Sequence, residues 1–542
     1  MQLRTTFVRA CFALLGLQLF PLGGVAHADI TSMSGTSGTS GAAQDSPIPA
    51  AERSQCSALA ARPIEDAQVV SAGAQPSAQN LPEHCRVLAV ARPAITIEVW
   101  MPTQHWNGKL YFAGCGGVCG RLLTEAPSGE LGDPPVWEPL RRGYAIVTTD
   151  TGHWGVHAAD FRWAMNNPVG IEDFAERGVH RALVVAKDLV AAYYGGEIKH
   201  SYFEGCSNGG RQGLIEAQRY PEDFDGIISG APTPDLVGQL DAWIYEAKVD
   251  SDAHGRSILS PAKIESVRKA VIKSCGDREG VIDDPRACRF DPGVMECRAD
   301  RTDECLTPQE IAVVRAWHRG PGTWPDGANH GGLPVGSEAS WAMTVGPEAM
   351  VSTLGQGIVQ YLLVPAPGPE FNMLHDEMAP LRPRLDTLGA LVGASNADLA
   401  KFRARGGKLL VWHGWADAAI SPARTIDYFT SVQRAMGGEQ ATGAFARLFL
   451  IPGMNHCGFI GDASPGIDVR GLDMLSELEK WSEGSVGPER IVTTKKDLAG
   501  KTVWSRPICS YPKLARYSGH GDRSDASAWR CEDTPATASQ AH

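Results

Sequence analysis

Short runs of apolar and β-branched residues alternate with longer amphipathic stretches between about residues 94 and 232. Four of these runs predict strands: AITIEVW at 94–100, KLYFA at 109–113, YAIVT at 144–148 and SYFEG at 201–205. Apolar residues at helical spacing predict a long helix from about Asp173 to Tyr194. Strands that alternate with helices in this way are typical of βα units on a largely parallel sheet.

The same alternation resumes near the C-terminal end of the chain. Two further strands are predicted there, KLLVWHG at 408–414 and RLFLIPG at 447–453, with a helix between them from about Ala423 to Arg434. We therefore expect an α/β fold with a mostly parallel sheet.

The region between about Pro234 and Leu399 lacks this alternation, and Pro, Gly, Trp and Cys residues are frequent in it. We interpret residues 234–399 as an inserted cap domain. The catalytic domain is then expected to consist of residues 56–233 and 400–542.

The N-terminal 28 residues have the pattern of a secretory signal peptide. Arg4 and Arg9 precede a short apolar stretch, and Ala26-His27-Ala28 provides a small-residue cleavage site. A membrane anchor is less favoured, because the apolar stretch is far shorter than the roughly 20 residues that a span needs. We expect cleavage near Ala28, a flexible leader at 29–55 rich in Ser, Thr and Gly, and export to the periplasm or the exterior without a membrane span.

Composition narrows the function further. The 542 residues contain 50 Lys and Arg against 62 Asp and Glu, a net charge of −12. This balance argues against a nucleic-acid partner. Hydrophobic residues make up 43% of the chain, which suffices for a large buried core.

Twelve of the 13 cysteines remain after removal of Cys11 with the signal peptide. An even number in an exported chain favours disulfides over metal ligation. Three local pairs are suggested by spacing: Cys275 with Cys288, Cys297 with Cys305, and Cys509 with Cys531. The pairing of Cys56, Cys85, Cys115 and Cys119 stays open, although Cys56 with Cys85 and Cys115 with Cys119 are the nearest combinations.

A candidate nucleophile lies directly after the predicted strand SYFEG. Residues 205–209 read Gly-Cys-Ser-Asn-Gly, the G-x-S-x-G pattern that bends a strand sharply into a helix and exposes a serine hydroxyl. A glycine turn without chemistry is the alternative, but the predicted strand before and helix after it favour a nucleophile. We predict that Ser207 is the nucleophile.

A serine hydroxyl needs a base to take its proton and an acid to orient that base. Asp417 follows one C-terminal strand and His456 follows the next, in the chain order Ser, acid, His that this type of fold uses. Either residue alone would be read as structural, whereas both together in this order predict a Ser-His-Asp triad.

Two cysteines lie next to the predicted catalytic residues. Cys206 precedes Ser207 and Cys457 follows His456, although 251 residues separate the two cysteines. A disulfide between them would tie the two catalytic loops together. Two buried thiols are the alternative, which is less favoured in an exported chain.

These residues together resemble the tannase and feruloyl esterase family, which is marked by Cys-Ser, Asp and His-Cys with a disulfide. The match extends to HCRV at 84–87, EVWMP and WNGKL within 98–110, TDTGHWG at 149–155 and VIDDP at 281–285. The resemblance implies an α/β-hydrolase core under a cap and a secreted serine esterase that acts on small esters of aromatic acids. It also implies catalysis without a cofactor.

Two features depart from the family pattern. The glycine loop reads Gly-Cys-Gly-Gly-Val-Cys at 114–119, so its own disulfide could close it. The family's calcium loop is reduced here to a short segment between two cysteines, where Asp277 and Glu279 remain as weak candidate ligands. Calcium binds six to eight oxygens, so we expect no calcium requirement.

The mechanism places an oxyanion hole at two backbone N–H groups, one from Asn208 and one from Gly116 or Gly117. Aromatic side chains of the cap could form the walls of the substrate pocket. We expect Trp341 or Phe371 to face the substrate. Further candidates for the pocket walls are Trp243, Trp317 and Trp324. Gallates, hydroxycinnamates and terephthalate half-esters all remain open as substrates. A secreted serine peptidase is a more distant alternative. A lipase is disfavoured because it would need a more apolar lid. An inactive adhesion module is disfavoured because it would normally have lost a triad residue.

Overall fold

The structure is a computed structural model of the chain. It describes residues 49–78, 81–124, 136–277, 280–298, 304–322, 331–343, 349–458, 471–484, 486–496 and 501–533. The described residues belong to one compact unit, Pro47–His542. The predicted signal peptide and all but the last residues of the predicted leader lie outside the described ranges.

A large sheet forms the centre of this unit, with strand order β1-β2-β3-β5-β4-β6-β7-β8-β9. Its strands are β1 Ala67–Gln75, β2 His84–Ala91, β3 Ile95–Pro102, β4 Lys109–Ala113, β5 Ala145–Thr149, β6 His200–Cys206, β7 Gly226–Gly230, β8 Lys408–Gly414 and β9 Ala446–Ile451. The pairings from β5 through β9 are parallel, and β1, β2 and β3 add an antiparallel edge. Two C-terminal hairpins follow, β10 Arg490–Lys496 with β11 Thr502–Cys509 and β12 Leu514–Tyr517 with β13 Trp529–Glu532.

Most helices lie in the chain between the strands of this sheet, while the first precedes β1 and the last follows β9. The helices are α1 Ala50–Ala58, α2 Trp137–Arg141, α3 Pro168–Glu172, α4 Gly178–Tyr194, α5 Asn208–Arg219, α6 Leu236–Val249, α7 Pro261–Cys275, α8 Pro308–Arg319, α9 Met350–Gly357, α10 Arg382–Val392, α11 Ala400–Ala404, α12 Pro422–Ala435, α13 Glu439–Gly443 and α14 Met474–Ser482. One turn of π-helix, Asp173–Arg177, leads into α4, and a second, Ile358–Leu362, continues α9. Within the described ranges, none of these helices combines the length and the apolar character that crossing a bilayer requires.

The predicted elements of the sheet are confirmed. KLYFA and KLLVWHG coincide with β4 and β8, and the long predicted helix appears as the π-helical turn followed by α4. The sequence did not predict β1, because its residues AQVVSAGAQ are mostly small or polar and only one of them is buried. An edge strand of this kind has no apolar face to bury, so it leaves little periodicity in the sequence.

The chain between β7 and β8, residues 231–407, forms the insertion. It contains α6 to α11 in place of a single crossover helix. Part of the insertion has a hydrophobic cluster of its own, centred on Trp317 and Trp341, whose rings meet edge to face at 4.9 Å. The α/β-hydrolase core with a large inserted cap is therefore the observed architecture, while the exact limits 234 and 399 stay a prediction.

Six disulfides connect the twelve cysteines. The three local pairs and the Cys206–Cys457 pair are those predicted. The four cysteines left open pair as Cys56–Cys85 and Cys115–Cys119. Because disulfides persist in oxidising compartments, this number fits an exported protein.

Candidate active site

Ser207 occupies a strained turn between β6 and α5. Its backbone angles are φ 61° and ψ −120°, which a residue with a side chain rarely adopts. The turn is held by Ser207 N, which donates to Gly230 O at 2.9 Å, and Arg211 N, which donates to Ser207 O at 3.0 Å. A Cβ on Gly205 would lie 2.7 Å from the backbone of Gly209, so the pattern around Ser207 requires glycine. This is the geometry of a nucleophile elbow.

Asp417 and His456 meet beside this turn, after the carboxyl ends of β8 and β9. His456 Nδ1 lies 2.7 Å from Asp417 Oδ2. The other carboxylate oxygen, Oδ1, accepts the backbone N–H groups of Ala419 at 2.8 Å and Ile420 at 2.9 Å. Asp417 is completely buried. These contacts orient the imidazole of His456 with its Nε2 turned away from the carboxylate.

A second histidine, which the sequence analysis missed, shares the carboxylate of Asp417. His413 Nε2 lies 3.0 Å from Asp417 Oδ2 and 3.0 Å from Ile420 O, while its Nδ1 lies 2.8 Å from Thr425 Oγ1. Two acceptors at Nε2 assign the proton to that nitrogen. The sequence signal was available, because His413 lies near the end of the predicted strand KLLVWHG, four residues before Asp417.

The electrostatics of this cluster keep Asp417 ionised. Burial by itself would raise the pKa of the carboxyl, but the charge on His456 and the hydrogen bonds from both histidines lower the pKa well below its usual range. A carboxylate that stays charged can stabilise the imidazolium that forms when His456 takes a proton.

The disulfide between Cys206 and Cys457 joins the two loops that carry Ser207 and His456. The Cα atoms of the cysteines are 5.9 Å apart, although 251 residues separate them in the chain. Cys457 itself adopts a left-handed conformation at φ 52°. The chain therefore crosslinks the immediate neighbours of its candidate nucleophile and base.

The glycine loop after β4 lies against the N-terminal turn of α5. Its Cys115–Cys119 disulfide receives hydrogen bonds from side-chain amides of α5: Asn208 Nδ2 donates to Cys119 Sγ at 3.3 Å, and Gln212 Nε2 donates to both sulfurs at 3.3–3.4 Å. Gln212 Oε1 also accepts the backbone N–H of Cys115 at 3.2 Å. Helix α5 thus holds the loop that was predicted to supply half of the oxyanion hole.

Of the two glycines predicted as donors, Gly117 lines the cavity above Ser207, and Gly116 is not among the described lining residues. Gly117 has φ +58°, and a Cβ there would lie 2.1 Å from Ala158 O. Only glycine fits this position. Behind it, His153 Nε2 lies 2.6 Å from Val118 O, and the ring stacks on Trp163 at 3.6 Å. The TDTGHWG segment is thus a support for the glycine loop, a role that the sequence analysis did not assign.

Arg211 lies under the same turn and is almost completely buried. Its guanidinium donates to Asn208 Oδ1 at 2.9 Å and to three backbone carbonyls, those of Phe174, Ala175 and Val392, at 2.8–3.1 Å. Burial lowers the pKa of this group to about 9, and the nearby charge of Arg219 adds to the effect, so Arg211 stays charged at neutral pH. Arg211 therefore fixes the side chain of Asn208 from below.

A cavity lies above Ser207 and comprises about 750 Å³, including its opening to solvent. Its floor consists of Gly117, Ser207, Asn208, Arg211 and His456. Six apolar side chains of the insertion form its roof: Leu236, Trp243, Met350, Leu354, Ile358 and Leu362. The cavity thus places the candidate nucleophile and base beneath a hydrocarbon surface.

The aromatic walls expected from the sequence are only partly present in this cavity. Trp243 lines it, and its Nε1 donates to Ala419 O at 2.7 Å, next to the Asp417 loop. The prediction that Trp341 faces the substrate is wrong: its ring is fully buried against Trp317, and its Nε1 donates to Ser337 Oγ at 2.9 Å.

Phe371 is not among the described residues of the cavity lining either, because it packs on the outside of the hydrophobic cluster that contains Trp243. The expectation that it contacts substrate therefore stays a prediction. Trp324 lies outside the described residues.

The candidate calcium ligands do not form a cation site within the described residues. Asp277 Oδ1 accepts the backbone N–H of Val281 at 2.8 Å, and Asp277 Oδ2 lies 3.6 Å from Nη2 of Arg506. The same guanidinium lies 3.9 Å from Asp283. A positive side chain near both carboxylates does not fit a calcium ion. No cluster of three or more potential ligands occurs among the residues that the structure describes, and Glu279 lies outside them.

One protein family and several known proteins are similar to this chain. The model of a family described as tannase and feruloyl esterase matches residues 80–532. The chain is 32% identical to an uncharacterised esterase of Xanthomonas campestris, with 84% of this chain and 85% of that protein covered. It is 30% identical to a mono(2-hydroxyethyl) terephthalate hydrolase of Piscinibacter sakaiensis, with 90% and 93% covered.

A solved structure extends this agreement to the fold. The crystal structure of an esterase from Aspergillus oryzae superposes with a TM-score of 0.78 at 25% identity and covers 89% of this chain and 100% of its own. Both the matched family and the named relatives are ester hydrolases. The chain is therefore a carboxylic ester hydrolase and belongs to the tannase and feruloyl esterase family.

Proposed function

We propose that this protein is a secreted serine esterase that hydrolyses small esters of aromatic acids through an acyl-enzyme. One observation carries the proposal: Ser207 and His456 line the same cavity, and Asp417 contacts His456 from behind. This combination gives each group the role that nucleophilic acyl transfer requires.

In the first half of the reaction, Ser207 Oγ attacks the ester carbonyl carbon and His456 Nε2 takes the hydroxyl proton. The tetrahedral intermediate collapses, the C–O bond to the alcohol breaks, and His456 returns the proton to the leaving oxygen. In the second half, His456 takes a proton from water, the hydroxide attacks the acyl-enzyme, and the proton goes back to Ser207 as the acid leaves. Asp417 stays ionised and stabilises the imidazolium in both halves.

The negative charge on the intermediate is assigned to the backbone N–H groups of Asn208 and Gly117. Asn208 begins α5, where unsatisfied N–H groups and the positive end of the helix dipole favour an anion. Gly117 lies in the loop that the amides of Asn208 and Gln212 hold against α5. The side chain of Asn208 therefore acts as a positioning group, while its backbone N–H is the proposed donor. Gly116 is the weaker candidate, since it does not line the cavity in the described part of the chain.

Aromatic acids are proposed as the acyl groups because the walls above Ser207 are hydrocarbon surfaces, with Phe161, Phe174 and Trp243 among them. Aromatic rings bury large areas against such surfaces. The family model carries feruloyl esterase and tannase in its description, which is consistent with this class of acid.

We further propose export after cleavage near Ala28, in line with the six disulfides and the pattern of the first residues. No cofactor is assigned to the reaction, because the chain's own residues provide the nucleophile, the base and the proposed oxyanion donors.

A covalent probe tests the proposal directly. The purified mature protein should hydrolyse methyl ferulate or methyl gallate, and a fluorophosphonate should add one label at Ser207, read by peptide mass spectrometry. Ser201→Ala is a matched control, because Ser201 is a buried serine at the opposite end of β6. A label elsewhere, or faster release of amine from a matched anilide than of alcohol from the ester, would contradict an esterase that uses Ser207.

A further inference from the structure

The described side chains of the roof offer no charge to a bound substrate. Its six side chains are hydrocarbon, thioether or indole groups, and the indole N–H of Trp243 is already donated to Ala419 O at 2.7 Å. Thr233, shortly after β7, is the one further polar group that the described part of the insertion adds to the lining. Lys, Asp and Glu do not occur among the described lining residues.

Arg211 is the one cation in the described lining, and its hydrogen bonds are directed elsewhere. At least four of its five N–H groups are donated, to Asn208 Oδ1 and to the carbonyls of Phe174, Ala175 and Val392. Only 1% of the residue is exposed. The paired donors that normally hold a carboxylate are therefore not presented to the cavity.

An ionised carboxylate that enters this cavity would lose its water without gaining an ion pair from the described lining residues. Transfer of an unpaired carboxylate into an apolar site is strongly unfavourable, whereas a methyl group of similar size gains from the same transfer. The relative from Piscinibacter sakaiensis is named for a half-ester of terephthalate, a substrate that carries such a carboxylate on its ring.

We infer that the cavity accepts only the uncharged acid part of an ester and discriminates against a carboxylate on the aromatic ring. This inference rests on the proposed function, since it concerns the acyl group that Ser207 would carry. It excludes terephthalate half-esters as good substrates, although that class was open from the sequence.

Three methyl benzoates that differ only at the para position test the inference: the methyl, the carboxamide and the carboxylate derivative. Each kcat/KM is divided by the rate of hydroxide-catalysed hydrolysis of the same ester, which removes differences in intrinsic reactivity. At pH 7 we expect this normalised kcat/KM to be highest for the methyl derivative, lower for the carboxamide and lowest for the carboxylate. The first and the last should differ by at least about 100-fold. A carboxylate derivative that is hydrolysed as fast as the methyl derivative would overturn the inference.

Lower pH provides a second test without any substitution. The ring carboxyl group becomes neutral near pH 4, while loss of the base affects all three esters alike. The ratio of kcat/KM for the carboxylate derivative to that for the methyl derivative should therefore rise as the pH falls from 7 to 5. A constant ratio would contradict exclusion by charge.

A charge placed in the roof should reverse the preference. Leu354 in α9 is partly exposed, so Leu354→Arg is expected to fold and to raise the relative kcat/KM of the carboxylate derivative at least about tenfold. Leu354→Gln is the matched control, because it adds polarity without charge and should leave the ratio of carboxylate to methyl derivative within about threefold of wild type. An equal change in both variants would show that charge is not the cause.

If wild type hydrolyses none of the three esters and neither methyl ferulate nor methyl gallate, the proposed function is wrong. The charge preference is then decided by calorimetric binding of the same esters to Ser207→Ala. Tighter binding of the methyl derivative supports the inference, and equal or tighter binding of the carboxylate derivative overturns it.

Discussion

The floor of the active-site cavity consists largely of hydrogen-bonded polar groups, whereas its roof is almost entirely apolar. On the floor, Ser207 occupies a strained turn, Asp417 is bonded by two histidines and two backbone N–H groups, and Arg211 donates to four oxygens. In the roof, six side chains meet the cavity almost without polar contacts. Under the proposed function, chemistry depends on the loops after the parallel strands, whereas substrate choice depends on the insertion.

The largest effect is expected on the floor. Ser207→Ala should lower kcat by up to about 10⁶-fold, because it removes the only nucleophile assigned to the reaction. The change deletes one hydroxyl and should leave the melting temperature within a few degrees of wild type. Steady-state kinetics with circular dichroism measure both, and more than a few per cent of residual activity would refute the role of Ser207.

Asp417→Asn comes next, with an expected loss of about 10³- to 10⁴-fold in kcat. An amide at this position can donate to His456 Nδ1 and so favours the wrong tautomer of the imidazole. Asp398→Asn, an exposed aspartate of the insertion, serves as control and should be neutral. Activity of Asp417→Asn within tenfold of wild type would argue that another group orients His456.

Replacement of both Cys206 and Cys457 by Ala should reduce kcat by on the order of 10²-fold, since small displacements of reacting groups are costly. It should also destabilise the fold by about 4–5 kcal/mol on the chain-entropy model of a loop this long. The double Ala variant at Cys509 and Cys531 should lose stability while its folded fraction keeps kcat. If both variants lose activity only in proportion to unfolding, the disulfide between the catalytic loops is structural alone.

One buried carboxyl group of the insertion predicts an effect of pH on stability and not on chemistry. Glu246 in α6 is buried, and this burial raises its pKa to about 8. The folded protein then retains a proton that the unfolded chain releases near pH 4.5, so stability falls as the pH rises from about 4.5 to 8. Glu246→Gln should lack this fall. The melting temperature of Glu246→Gln minus that of wild type should therefore be at least about 3 °C larger at pH 8 than at pH 5.

Exposed Glu370 provides the control for this measurement, because Glu370→Gln should show no such pH dependence. Equal differences between Glu246→Gln and wild type at both pH values would mean that Glu246 is ionised in the folded protein.

The smallest effect is expected from chelation. With Arg506 near the carboxylates of both Asp277 and Asp283, EDTA should change the melting temperature by less than about 1 °C and leave kcat unchanged. A large drop that calcium restores would show that a cation site exists in this part of the chain.

The sequence was sufficient to predict the core of the fold and the place of the three proposed triad residues within it. Strong apolar runs predicted β4 and β8, and the loops after successive parallel strands bring Ser207, Asp417 and His456 to one edge of the sheet. The weakly patterned edge strand β1 was missed, since nothing in it requires burial on one face.

Contacts between distant segments were less predictable. His413 contacts Asp417 through a loop turn that periodicity does not reveal. Arg211 finds its carbonyl partners in two separate parts of the chain, at residues 174–175 and at Val392. Trp341 was expected in the substrate pocket because it is aromatic and lies in the insertion. Composition could not show that Trp341 would be buried in the cluster around Trp317 and not in the cluster that contains Trp243.

The attachment of the insertion limits how the cavity can admit a substrate. Arg211 and Arg219 of α5 donate to the carbonyls of Ala390, Leu391, Val392 and Gly393, where α10 ends and the chain returns towards the core. Positive side chains at a helix C-terminus are favourable, and here they come from the helix that begins next to Ser207. The C-terminal end of α10 is therefore an anchor and not a hinge, because movement of α10 away from α5 would break the hydrogen bond from the buried Arg211 to Val392 O. We expect access to depend on rearrangement of roof side chains such as Met350 and Leu354, which leaves the catalytic geometry undisturbed while the entrance opens and closes.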